Sequence, residues 1–410
     1  MKNILIIGFV WPEPTTAAGV RMMQLIKFFQ NKEYKIIFVS TASITPYSIN
    51  LSEYNVVSKN IKLNDTGFDD FLIDLNPNIV VFDRFLSEEQ FGWRVAQNLP
   101  NAIRILDTED LHFLRKVREQ AAKKGVFKVS TTELKSSDIA KREVASIFRS
   151  DVSLIISSYE MQLLQESFQI PNALLLHLPF MMDEIDELVK RNWINFKERQ
   201  DFICIGNGKH APNVDAISYL KKEIWPKIRK ELPDVNLKIY GAYLPQHILE
   251  MHNPSSGFYI MGWAENASEV VKNARVSLAP LRFGAGIKGK LTEAMHCGTP
   301  SVTTTIGVEG MHKNLPWAGI IMNDKEDFVA AAVTLYNDEE NWEIAQNNGV
   351  TIVNTIYSQK LLTTVFSEKL EYLKMNLEVH RSDNFIGSML LHHTMASTKY
   401  LSKWIEAKNK

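Results

Sequence analysis

The sequence predicts an α/β protein made of two doubly wound parallel-sheet domains that face each other across a cleft. Three observations predict it. The chain has 410 residues, more than one hydrophobic core usually organises. Short β-branched apolar runs alternate with amphipathic helical patterns along most of its length. One charged stretch near the middle holds no strand at all. Strand–helix alternation of this kind builds a parallel sheet covered by helices on both faces.

In the first half the strand candidates are residues 4–10, 35–40, 79–82, 103–106, 152–156 and 173–176. In the second half they are 202–205, 237–240, 258–261, 276–279, 301–304 and 320–322. Residues 20–31, 216–231 and 325–336 carry a helical period between them. The break is 182–200, where Asp183, Glu184, Asp186, Glu187, Lys190 and Arg191 crowd together. The expected organisation is therefore an N-terminal domain at 1–185, a linker at 186–200 and a second domain at 201–365. Helices at 366–410 are expected to pack back across the domains. Residues 397–407 are amphipathic, with Tyr400, Leu401 and Trp404 on one side. With about six strands each, both units read as Rossmann-like, and ligands of such sheets bind beyond the carboxyl ends of the strands.

Composition narrows the class. A 45% hydrophobic and 23% charged chain is an ordinary globular protein. Its net charge of -1 argues against a nucleic-acid partner, which selects clearly basic surfaces. Cys204 and Cys297 lie in apolar segments and read as buried free thiols of a reducing compartment. The apolar start at 4–10 runs into Trp11, Pro12 and Pro14. It is far shorter than the ~20 residues of a membrane span and lacks a signal-peptide pattern. A cytoplasmic protein is expected, at most peripheral at the inner face of a membrane.

The most informative stretch is 276–305. A strand ends at Pro280, and a loop with Gly284, Gly286 and Gly289 leads into a helix holding Glu293. Glycines at a helix entrance let the backbone approach a phosphate, whose charge meets free amides and the positive helix end. Lys288 and Lys290 add cations there, and Glu293 can accept hydrogen bonds from a sugar diol. Gly298 and Pro300 stop the helix. Read blandly, the same loop is a glycine-rich turn ahead of a solvated helix.

This stretch resembles the signature of the retaining glycosyltransferase group 1 family (family four), whose fold is GT-B. The resemblance runs over 202–311, with 206–220 and 284–294 as its best stretches, and extends more loosely over the N-terminal half. It implies two facing Rossmann-like domains, a UDP- or GDP-linked sugar donor, no further cofactor and no metal. It also implies a carbohydrate or lipid-linked acceptor, as in bacterial surface glycans, and retention of configuration. By this resemblance Glu293 holds the donor ribose and Lys290 meets the diphosphate. Gly284 and the amides of Gly286, Ile287 and Lys288 complete the phosphate site. Gly206, Asn207 and Gly19 line the donor from the two first-strand loops. Two positions depart from the family pattern. Ala285 stands where a second glutamate contacts the transferred sugar, and Asn207 and Pro212 stand where an Arg and a Lys are usual.

After the strand at 103–106, Asp107, Glu109, Asp110 and His112 cluster where an acid or base would face the cleft. Relatives carry a His-Asp pair here. Glu109 takes the histidine's place and His112 follows, so both are catalytic candidates beside Lys290. The alternative is helix capping by Asp107 and Thr108. Arg21, in the first turn of its helix, either reaches the cleft or lies exposed. Between 114 and 128, Arg115, Lys116, Arg118, Lys123, Lys124 and Lys128 face one acid, Glu119. That segment is a candidate for contact with an anionic membrane; the alternatives are a solvated basic helix or a clamp for an acceptor phosphate.

Three rival classes remain. Gly206, Gly208 and Ala211 match a dinucleotide fingerprint in form, yet no acid ends the strand at 237–240 to hold a ribose. A GT-B relative without transfer, a sugar epimerase or a lapsed sugar-binding subunit, is kept open by Ala285. A metal-dependent GT-A enzyme is disfavoured, because no Asp-x-Asp follows an apolar strand.

Overall fold

The computed structural model describes residues 2–408. Seven parallel strands form the first sheet: β1 (Lys2–Gly8), β2 (Tyr34–Ser40), β3 (Val57–Asn60), β4 (Ile79–Asp83), β5 (Ile103–Asp107), β6 (Val152–Ile155) and β7 (Leu175–His177). Their order is β3-β2-β1-β4-β5-β6-β7. Six parallel strands form the second: β8 (Gln200–Ile205), β9 (Leu237–Tyr240), β10 (Phe258–Gly262), β11 (Ala274–Ala279), β12 (Ser301–Thr303) and β13 (Gly319–Ile321), in the order β10-β9-β8-β11-β12-β13. In each sheet the winding direction reverses beside the first strand, between β1 and β4 and between β8 and β11. Ligands of doubly wound sheets bind at such points.

Every expected strand is present. The extra one, β3, is an edge strand of Val57, Ser58, Lys59 and Asn60, all exposed. It buries no face, so it leaves no apolar pattern to read, and its lysine suits an edge. In the central β1 the two faces diverge as period two requires. Leu5 and Ile7 join one core cluster, and Ile4 and Ile6 the other.

The helix read at 216–231 differs in detail. It begins at Ala211, with Pro212 in its first turn, and runs to Tyr219. A π turn at Leu220–Ile224 then precedes a further helix, Trp225–Glu231. Pro226 lacks the N–H that a regular turn requires, which accounts for the local slip.

The chain passes between the domains twice, at Met182 and at Tyr357–Ser358, and the two crossings bond to each other. Met182 N donates to Tyr357 O at 2.8 Å, and Gln359 N to Met182 O at 2.9 Å. The terminal helices start at Gln359 rather than 366 and pack on the N-terminal domain. Phe366 stacks on Phe28 at 4.5 Å, in the core cluster behind β1. Both cysteines are buried and free.

Candidate active site

The loops that leave the carboxyl ends of both sheets meet across the cleft. Asn207, after β8, points its amide at Thr15 Oγ1, after β1, at 3.4 Å. Tyr243, after β9, donates its hydroxyl to Glu13 at 3.1 Å.

On the C-terminal side the site is built around Lys290. Its ammonium donates to Asn213 Oδ1 at 2.7 Å, directly under Gly206. A Cβ at 206 would lie 2.7 Å from the Lys290 nitrogen, so glycine there makes the room. Burial lowers the pKa of Lys290. Lys288, just ahead of the helix Gly289–His296, donates to Gly286 O at 2.9 Å. Burial brings it down to about 8, against the opposing pull of Glu309. Glu293 lies three residues after Lys290, on the same side of the helix. It accepts from Ser268 Oγ at 3.1 Å, and burial raises its pKa while that bond opposes the rise. Two cations and a carboxylate therefore line one helix entrance beside the β8–β11 reversal.

The glycine loop is more engaged than the sequence implies. Gly286 has φ 65°, and a Cβ there would stand 2.8 Å from Asp110 Cβ of the opposite domain. Its N–H is not free for a phosphate, because it donates to Glu160 Oε1 at 2.8 Å. Ala285 packs into the N-terminal core, and Ile287 joins a cluster with Ile156 and Phe180. The carbonyl of Gly284 accepts from Arg118 at 2.9 Å. Gly19 is similarly occupied. Its N–H caps onto Thr16 Oγ1 at 2.9 Å, and a Cβ would collide with Glu13 O at 2.0 Å. Its identity follows from the tight loop above it.

On the N-terminal side, Asp83 and Asp107 are register partners at the ends of β4 and β5. Arg84 and Glu109 follow them, with φ 68° and 64°. Left-handed backbone at a non-glycine residue costs on the order of 1–3 kcal/mol and concentrates at functional sites. Burial, reinforced by Asp107 and Asp83, pushes Glu109 well above the usual carboxylate range against the pull of Arg84 and Arg21. Its Oε1 has no hydrogen-bond partner among the described residues. His112 sets its ring edge on Phe85 at 5.5 Å and its Nε2 3.4 Å from Asp110. Burial lowers its pKa to about 4, so the ring is neutral near pH 7. Burial of Asp110 opposes its ionisation, but Arg115, at 2.6 Å, and His112 outweigh it and keep the carboxyl below its ordinary range.

Asp107 and Thr108 cap nothing. Asp107 accepts from the buried Arg21 at 2.8 Å, and Thr108 donates to Leu154 O at 2.9 Å. The first amides of the helix His112–Ala122 are instead met by Glu143, at 3.1 and 3.0 Å, while Glu160 takes Leu111 N at 3.1 Å. Arg21 is wholly buried and also donates to Leu178 O at 2.7 Å, which makes it a structural clamp rather than a cleft residue.

Of the six cations at 114–128, two point inward. Arg115 pairs with Asp110, and Arg118 makes a two-pronged bond to Glu309 at 2.6 and 2.8 Å. Lys116 and Lys123 share Glu119 at 3.2 and 2.7 Å. The segment presents less free positive charge than its composition implies.

Sequence reasoning missed Arg84, Glu160 and Glu309, and with Glu309 the pairing of Arg118 across the domains. Arg84 was within reach, since a charged pair directly after a buried strand is a visible signal. Glu160 lies in an unremarkable helical stretch and acquires its place only through the fold.

Two facing doubly wound domains, with their reversal points opposed across one cleft, make the GT-B fold. Residues 199–338, which span most of the second domain, match the family model for glycosyl transferases group 1. A Klebsiella pneumoniae protein described as an uncharacterized 44.6 kDa protein in the cps region is 21% identical over 236 residues, 56% of this chain and 58% of that one. The chain therefore spans somewhat more than half the length of that relative. In fold it is similar to the sucrose-phosphate synthase of Thermosynechococcus elongatus, with a TM-score of 0.67 at 15% identity over 91% of this chain and 99% of the other. It is also similar to S. aureus TarM, solved with fondaparinux, alpha-GlcNAc-glycerol and UDP, with a TM-score of 0.66 at 10% identity over 90% and 99%.

Proposed function

We propose that the protein transfers a sugar from a nucleoside diphosphate sugar to a carbohydrate or lipid-linked acceptor of a bacterial surface glycan. The observation that carries this reading is the Lys290–Asn213 contact under Gly206, with Glu293 one turn further along the same helix. A diphosphate beside Lys290 meets an ammonium at a positive helix end. A ribose diol beside Glu293 meets an acceptor for its hydroxyls.

As the glycosidic bond breaks, negative charge grows on the leaving phosphate. Lys290 and Lys288 stabilise it in a site already largely closed to water. Glu109, strained and with a raised pKa, faces the acceptor side as a proton carrier or hydrogen-bond partner. Retention of configuration follows from the family resemblance. S. aureus TarM, of the same fold, was solved with UDP and a GlcNAc conjugate, and the K. pneumoniae relative is named for a cps region. The first supports a nucleotide-linked donor and the second a surface-glycan product.

One observation favours a second reading, a sugar-binding subunit without transfer. Ala285 is packed into the N-terminal core where the family has a glutamate. Incubation with a panel of UDP- and GDP-sugars, read as nucleoside diphosphate release with and without glycan acceptors, decides between them. Release is expected with one donor class, whereas binding without release supports the second reading.

A further inference from the structure

The helix Phe385–Lys408 is seated on the N-terminal domain by one face. Gly387 lies against the backbone of Phe148, where a Cβ would stand 2.2 Å from the carbonyl oxygen. Leu390 packs on the core. Ser402 Oγ accepts from the Arg94 guanidinium at 3.2 Å, and Glu406 pairs with the same group. At 3.6 residues per turn these residues lie toward one side of the helix. Phe385, Met389, Tyr400 and Trp404, spaced by 4, 11 and 4 residues, fall on the opposite side. They are 74%, 46%, 67% and 60% exposed, and Ile386 widens the stripe. Lys399 lies over the Tyr400 ring and Lys408 over the Trp404 ring, and Lys403 stands exposed beside them. The one acid of the helix, Glu406, is committed to Arg94.

We infer that this outer face docks on the surface of an anionic lipid bilayer. The fold does not account for the stripe, because the helix is already held by its other face, and monomers rarely expose such an apolar run without a use. At 24 residues the helix is about 36 Å long. None of the described helices is long and apolar enough to cross a membrane, so this one lies in the interface. Tyrosine and tryptophan, apolar in body and polar at the edge, suit the headgroup level. Three lysines draw the face to anionic lipid, against one exposed acid beside it, Asp383. A symmetric second copy fits less well, since pairing the face with itself brings like charges together.

Co-sedimentation of the full chain with phosphatidylglycerol-containing vesicles, and with pure phosphatidylcholine vesicles, tests the inference. Sedimentation velocity without lipid accompanies it. The wild type is expected to pellet with anionic vesicles at least about tenfold more than with neutral ones, and less as salt rises. Phe385→Ser/Met389→Ser/Tyr400→Ser/Trp404→Ser and, independently, Lys399→Gln/Lys403→Gln/Lys408→Gln should each cut the bound fraction at least about fivefold at unchanged melting temperature. Lys123→Gln/Lys124→Gln/Lys128→Gln should leave it intact. Wild type remaining in the supernatant at low salt, or pelleting equally with neutral vesicles, overturns the inference. So does loss of binding only in the 123/124/128 variant, which moves the contact to that segment. A lipid-free dimer that the four-serine variant turns into a monomer assigns the face to a second copy and likewise overturns it.

Discussion

Gly286 donates its backbone N–H to the Glu160 carboxylate across the domain boundary at 2.8 Å, and the same oxygen takes Leu111 N at 3.1 Å. One buried side chain thus ties the glycine loop of the second domain to the loop that carries Glu109 and Asp110. Two residues earlier, Arg118 holds Gly284 O from the other side. A loop expected to offer its amides to a ligand is therefore gripped at both ends by the opposite domain. The arrangement is a closed one.

Burial, with Asp110 adding to it, raises Glu160 from 4.5 to about 7. The folded state then holds a proton that the unfolded state has released between those two values. This group's contribution to stability is greatest below about 4.5 and falls as pH rises towards 7. Glu160→Gln removes that dependence. The melting temperature of the variant relative to wild type should climb between pH 4.5 and 7 and then level off. A difference that stays flat across this range contradicts the rise that burial gives the carboxyl at 160. The comparison must be a difference, because His112, His177 and His210, each lowered to about 4, slope the other way between about 4 and 6.5.

Arg118 and Glu309 form a largely buried pair between domains. Removing one partner strands the other charge, at a cost on the order of 3–5 kcal/mol. Arg118→Ala and Glu309→Ala should each lower the urea midpoint clearly, and the double variant should lose much less than their sum. Small-angle scattering of either single variant should show a larger radius of gyration as the cleft opens. Strict additivity with unchanged dimensions would mean that the pair does not hold the domains.

Glu109 combines a left-handed backbone with a buried carboxyl oxygen that lacks a hydrogen-bond partner among the described residues. Glycine relieves both, so Glu109→Gly should raise stability by ~1 kcal/mol or more while abolishing transfer. Glu109→Gln should keep donor affinity and lose at least about tenfold in turnover. Normal turnover in both variants removes Glu109 from the mechanism.

Lys290→Ala should reduce turnover more than donor affinity, because the charge it faces grows as the leaving group departs. Steady-state kcat and calorimetric Kd measured on the same preparation check this. An equal loss in both quantities would assign Lys290 to ground-state binding only.

How legible these features were depended on whether their physics is local. The buried strands announced themselves because β-branched runs such as 79–82 must hide from water on both faces. The exposed β3 did not, having nothing to hide. The placement of Lys290 and Glu293 at one helix entrance was readable because a glycine loop, two cations and a helix start occupy consecutive positions. Glu160 is far from that loop in sequence and meets it only once the two domains close, and Glu309, in the same domain as the loop, finds Arg118 only then. The basic stretch at 114–128 was legible only as a count of charges for the same reason. Composition counts charges but does not show that Arg115 and Arg118 are turned inward towards Asp110 and Glu309.

Calorimetric titration of wild type and Glu293→Ala with UDP, GDP and their sugars tests the central claim most directly. The account predicts saturable wild-type binding to one nucleotide class. In the variant that binding should weaken by ~1.5–3 kcal/mol, the scale of hydrogen bonds from ribose hydroxyls to a carboxylate. The contradicting result is either no binding of any nucleotide sugar to the wild type, or binding that Glu293→Ala leaves unchanged.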